Sequence, residues 1–266
     1  MVSKKKTIFL SHISEEGELG TIFKDRLEKD FLSLIDVFVS SDSRSIPPGD
    51  AWLKAVDDNL DRAAALIVLA SPTSVARPWI TFEAGAGWAK RVPTMIICHS
   101  GISPGGLPLP LGQLQAFSAS DMNRISAMYA VVAQVLGSAT PEPNLRSFVA
   151  SIQNFERKYT EERDVLVSLR QIKEAEPYLI KQISNVQVGP PVTVSDVPES
   201  SFRKMEQALK ALQNRGLLNW SYAVVGLALA VDGGNGVTGS GGGTFGNLTL
   251  TITPALAAFL KRSEFE

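Results

Sequence analysis

Ala65-Leu-Ile-Val-Leu-Ala70, the loop Ser71-Pro-Thr-Ser-Val-Ala-Arg77 and then Pro78-Trp-Ile-Thr-Phe-Glu83 decide the fold. A β-rich run ends at a serine, a short loop follows, and a helix opens on Pro78, whose missing N–H has no intrahelical partner in a first turn anyway. The alternation repeats on both sides. Thr7 to Leu10, Ile35 to Val39, Thr94 to His99 and a weaker Ala116 to Ala119 read as further strands. Between the first two, Leu19, Ile22, Phe23, Leu27 and Phe31 recur at three- and four-residue steps, the mark of an amphipathic helix. Asp50 is placed to cap the next helix, with Trp52, Val56 and Leu60 on one face. Ser120 or Asp121 opens another, with Ile125, Met128, Tyr129, Val132 and Val135 inward. Strands alternating with helices predict an α/β domain with a parallel five-stranded sheet and helical crossovers.

Pro141 and Pro143 mark the expected boundary, which divides the chain into 1–140 and 141–266, because periodicity lapses there and restarts differently. Leu145 to Ile172 reads as one long helix or two joined ones up to Pro177, and Gly189-Pro-Pro191 as a linker or turn. Ser201 to Asn214 is a helix stopped by Gly216. Strands Leu217 to Val231 and Asn247 to Thr253 flank a glycine-rich stretch, and Thr253-Pro254 opens a last helix. That order is similar to the second half of a winged-helix domain, so the expectation is a mostly helical, winged-helix-like second domain.

The chain has 266 residues, 44% of them hydrophobic, enough for one sizeable core or two modest ones. Its formal net charge of −1 argues against strong binding to a nucleic-acid backbone, which leaves nucleic acid open as a partner without a basic face to support it. Cys98, the single cysteine, excludes an intrachain disulfide framework and fits a reducing compartment, so the expected location is cytoplasmic. The apolar segment after Lys4, Lys5 and Lys6 is too short for a signal-peptide core, and Tyr222 to Val231 is too short to span a bilayer; no membrane partner is expected. Walker and Gly-x-Ser-x-Gly patterns are absent, and His12, His99 and Cys98 cannot make an ordinary zinc site.

In doubly wound sheets ligands bind beyond the carboxyl ends of the strands. Those ends carry Phe9-Leu-Ser-His12, Ile46-Pro-Pro-Gly-Asp-Ala-Trp52, Leu66-Ile-Val-Leu-Ala-Ser71 and Trp79-Ile-Thr-Phe-Glu83. The four, in this order over residues 5 to about 135, resemble the successive boxes of a Toll/interleukin-receptor (TIR) domain, which implies a flavodoxin-like fold. Many bacterial and plant TIR domains cleave nicotinamide from NAD+, with the glutamate of the Trp-x-x-x-Glu motif essential. The resemblance therefore implies an NAD+ glycohydrolase or ADP-ribosyl cyclase with Glu83 catalytic and NAD+ as substrate rather than cofactor. It also implies activation by self-association of TIR domains, an unidentified trigger or partner at the second domain, and a role in bacterial antiviral defence. The alternative from another class is a non-catalytic TIR adaptor acting by homotypic assembly.

A single carboxylate suits that chemistry. Nicotinamide leaves as a neutral base, so the general acid of ordinary glycosidases can be absent, and what remains is to stabilise an oxocarbenium-like ribose. Trp79, Glu83 and Gly87 stand four residues apart and form one strip of the helix. Gly85 and Gly87 suggest close approach of backbone or ligand. Without the boxes, Glu83 reads as a solvated helix carboxylate. The other candidates stay open: Trp79 contacts substrate or packs the helix on the sheet, Phe9, Ser11 and His12 line the nicotinamide pocket, or Ser11 caps the next helix and His12 is exposed. Asp42, Arg44 and Asp50, in or beside the loop after the second strand, reach phosphate or ribose, or are simply solvated.

Overall fold

The computed structural model describes residues 5–39, 50–185, 188–227 and 244–262. The chain divides into two compact units, Met1–Thr160 and Glu161–Glu266.

In the first unit β1 (Lys6–Ser11) leads through a 3-10 turn (Ser14–Glu16) into α1 (Gly17–Asp30), followed by β2 (Ile35–Val39), α2 (Asp50–Arg62) and β3 (Ala63–Ala70). A second 3-10 turn (Ser74–Ala76) precedes α3 (Pro78–Ala89), then come β4 (Thr94–Cys98), β5 (Gln115–Ser118) and α4 (Met122–Leu136). The five strands are parallel, as the alternation implies, and run in the order β2-β1-β3-β4-β5, the flavodoxin-like arrangement that the resemblance implies. Successive strand residues point to opposite faces. Ile8, Leu10, Ile67 and Leu69 meet Leu19, Phe23 and Leu27 of α1 and Ile125, Tyr129 and Val132 of α4. Phe9, Leu66, Val68 and Ala70 face the other way, onto Val56 and Leu60 of α2 and Ile80 and Ala84 of α3. Pro78 occupies the first turn of α3, and Asp121 caps α4 by accepting the backbone N–H groups of Asn123 and Arg124.

α5 (Leu145–Ala175) begins in the first unit. The unit boundary falls inside this helix rather than at Pro141 and Pro143, because Phe148, Ile152, Phe155 and Tyr159 recur on one face and complete the core around α1. Val165, Leu169 and Ile172 belong to the core of the second unit. There α5 is followed by α6 (Pro177–Asn185), β6 (Val192–Pro198), α7 (Glu199–Asn214), β7 (Leu218–Leu227), β8 (Thr244–Ile252) and α8 (Pro254–Arg262). The strands form an antiparallel sheet in the order β6-β8-β7. β6 begins directly after the expected linker Gly189 to Pro191, in chain to which the sequence assigned no element. Its pairing shifts register between Val194 and Val197, and Asp196 has a φ of 58°, so no clean alternation survives in its sequence. Most of the glycine-rich stretch lies outside the described residues. Among the described residues, no helix is long and apolar enough to cross a membrane.

Candidate active site

Parity along β1 decides where the first candidate points. Ser11 shares the face of Phe9 and is turned toward α3. On α3 the strip of Trp79, Glu83 and Gly87 is turned toward the sheet, and Gly87 permits this: a Cβ there would run into the side chain of Leu66 and come within 2.9 Å of Thr94 Oγ1. Gly87 thus reflects close backbone approach to the sheet, one of the two expected causes. Gly85 has nothing within 4 Å of the Cβ position, so no protein backbone approaches it there.

The Glu83 carboxyl is wholly buried, with 0% exposure. Ser11 Oγ donates to Oε2 at 2.5 Å, and Trp79 Nε1 donates to Oε1 at 2.8 Å. Burial pushes this carboxyl up to about 7, against the pull of the Ser11 and Trp79 donors, which favour the charged form. A carboxyl poised near neutrality is able to carry negative charge or to exchange a proton under physiological conditions. In this state neither oxygen meets solvent.

Trp79 is half-buried, its ring tilted against Phe82 at 5.1 Å. Ser11 directs its hydroxyl to Glu83 and does not cap the 3-10 turn that follows β1, whose N-cap is Ile13. Phe9 is a core residue, tilted against Phe38 at 5.2 Å. His12 is not exposed: only 3% of it reaches solvent, and its ring lies over Gly20, where a Cβ would come 3.1 Å from Nε2. In this state neither Phe9 nor His12 offers a surface to a ligand. Asp42 and Arg44 lie outside the described residues, as does the whole loop Ser41 to Gly49 that holds them; Asp50 opens α2.

Sequence reasoning missed Glu16. It is also wholly buried, and its Oε1 accepts from Ser71 Oγ at 2.5 Å and lies 3.5 Å from His99 Nε2. That ring nitrogen is within ion-pair reach but makes no hydrogen bond. The signal available was the spacing of Ile13 and Glu16, first and fourth residues of a helical start, which lets Glu16 Oε2 reach back to the Ile13 N–H at 3.4 Å. Cys98 is buried and its thiol is pushed up to about 11 by that burial, so at neutral pH it is no thiolate. No group of three or more His, Cys, Asp or Glu residues is placed to hold a metal ion among the described residues.

Cavities among the described residues lie away from this carboxyl. One of about 390 Å³, on the neighbouring face of α3, is lined by Thr81, Gly85, Trp88 and Leu114 among others. A larger one of about 760 Å³ lies within the second unit, between Glu161, Glu162, Arg215 and Phe259. Neither touches Glu83, and position on the strand ends outweighs cavity size in identifying the site.

A parallel, flavodoxin-like sheet with a carboxyl held between its first strand and third helix defines the class of the first unit. Residues 8–129 match the family model of the TIR domain. No curated protein matches the chain. Among solved structures, a metazoan TIR-STING receptor from C. gigas, determined in complex with 2',3'-cGAMP, is similar at 17% sequence identity with a TM-score of 0.36. The match covers 65% of this chain and 51% of that one, so it spans about half of the receptor chain's length.

Proposed function

We propose that the first unit is an NAD+ glycohydrolase or ADP-ribosyl cyclase in which Glu83 is the catalytic residue. The observation that carries this reading is the Glu83 carboxyl itself, set at the strand ends in a TIR segment and held by Ser11 and Trp79. In the reaction the N-glycosidic bond breaks with its electron pair going to the nicotinamide nitrogen, and the ionised carboxylate stabilises the oxocarbenium-like ribose. Water then adds at the anomeric carbon and releases a proton; in the cyclase variant a nitrogen of the adenine adds instead. Trp79 and Ser11 serve to orient the carboxylate.

Full burial of Glu83 supports a latent enzyme. Self-association of TIR domains opens the site, and the neighbour's Ser41 to Gly49 loop completes it. The second unit, read as winged-helix-like from its helices and antiparallel sheet, senses an unidentified trigger or holds the oligomer. The setting is cytoplasmic and the biological role is bacterial antiviral defence by NAD+ depletion. The same burial favours a second reading, a non-catalytic adaptor in which Glu83 only braces α3.

The test is nicotinamide release from NAD+ by the crowded protein, wild type against Glu83→Gln. Loss of at least about a hundredfold in the variant supports catalysis. Measurable release at equal rates in both sinks it.

A further inference from the structure

A second wholly buried glutamate, Glu16, makes a matching bond in which the segments exchange roles. Ser11, closing β1, donates to Glu83 on α3, and Ser71, following β3, donates to Glu16, which follows β1; both bonds are 2.5 Å. All four residues have 0% exposure. The turn after β1 and the segment from Ser71 into α3 are therefore joined twice, each giving one hydroxyl and one carboxyl. Strand parity explains the crossing: Ser11 shares the α3 face with Phe9, whereas Ser71 shares the α1 face with Ile67 and Leu69.

Both ends of the second bond are seated. Ser71 Oγ accepts the backbone N–H groups of Thr73 at 3.2 Å and Ser74 at 3.1 Å, which shapes the turn leading into α3. Tyr159 OH lies 3.4 Å from Ser71 Oγ, and His99 Nε2 faces Glu16 from the end of β4. A Glu15–Arg77 ion pair ties the same two segments at the surface.

We propose that Glu16 is a positioning residue: by holding Ser71 it fixes the turn after β1 against the approach to α3, and so keeps the Ser11 hydroxyl on Glu83 Oε2. Its catalytic meaning rests on the proposed reaction, whereas the coupling itself is a property of the fold. The test uses the full chain labelled with 13C at the glutamate carboxyl carbons, where the resonance lost in Glu83→Gln reports ionisation of Glu83 without turnover. Ser11→Ala removes a donor to the charged form and is expected to raise the midpoint by about one pH unit. Ser71→Ala and Glu16→Gln are expected to raise it too, and Ser71→Ala is expected to add nothing once Ser11 is alanine. Ser71→Thr keeps the hydroxyl and should keep the wild-type midpoint, separating a lost bond from a disturbed fold. A Glu83 midpoint unmoved by Ser71→Ala and Glu16→Gln, or shifts from Ser11→Ala and Ser71→Ala that simply add, would overturn the proposal. Coupled titrations in a protein that leaves NAD+ intact would uphold the positioning and remove the NAD+ reading.

Discussion

Glu83 makes the folded chain sensitive to pH in a direction opposite to that of a salt-bridged carboxylate. Below about pH 4.5 the group is protonated in both folded and unfolded chains, and the full stability is present. As pH rises, the unfolded chain releases this proton first, so stability falls until the pH passes about 7. The loss is roughly 3 kcal/mol. Urea unfolding of wild type and Glu83→Gln across this range checks it: the difference between them should shift in favour of the glutamine variant as pH rises. The two helix glycines separate just as clearly. Gly87→Ala drives a methyl into Leu66 and is expected to destabilise by about 1–3 kcal/mol. Gly85→Ala meets open space and is expected to stabilise by roughly 0.5–1 kcal/mol, read from shifts in the unfolding midpoint.

At the scale of elements, the strands and helices of the first unit were legible because each carries its own period. β1 is an apolar run ending in Ser11, β3 is one followed by Ser71, and α1 shows its inward face as Leu19, Phe23 and Leu27. The cap of α4 was legible too, since an aspartate before an apolar stripe has one obvious use; Asp121→Ala should cost about 1 kcal/mol, measurable by thermal unfolding. β6 was not legible, because a register shift and a left-handed Asp196 break its alternation. The candidate site divides in the same way. Trp79 and Glu83 lie on one helix, where spacing alone brings them together. Ser11 and Glu83, or Glu16 and Ser71, meet only through sheet order and strand parity, which no local pattern encodes.

At the scale of the whole molecule, the first unit ends within α5. Phe148, Ile152, Phe155 and Tyr159 close the core over α1. Burying side chains of this size stabilises by about 1.5–3 kcal/mol each. Together that rivals the roughly 5–15 kcal/mol of an entire domain. A fragment of residues 1–160 is therefore expected to unfold cooperatively, whereas one of residues 1–140 should lack a cooperative transition, as circular dichroism on heating would reveal.

The central claim, that Glu83 cleaves NAD+ once chains assemble, meets its most direct test in a concentration series. Nicotinamide release per chain is measured for wild type and Glu83→Gln as protein concentration rises. The account predicts a rate per chain that climbs with concentration in the wild type and stays at background in the variant. Release that is the same in both proteins at every concentration would contradict it.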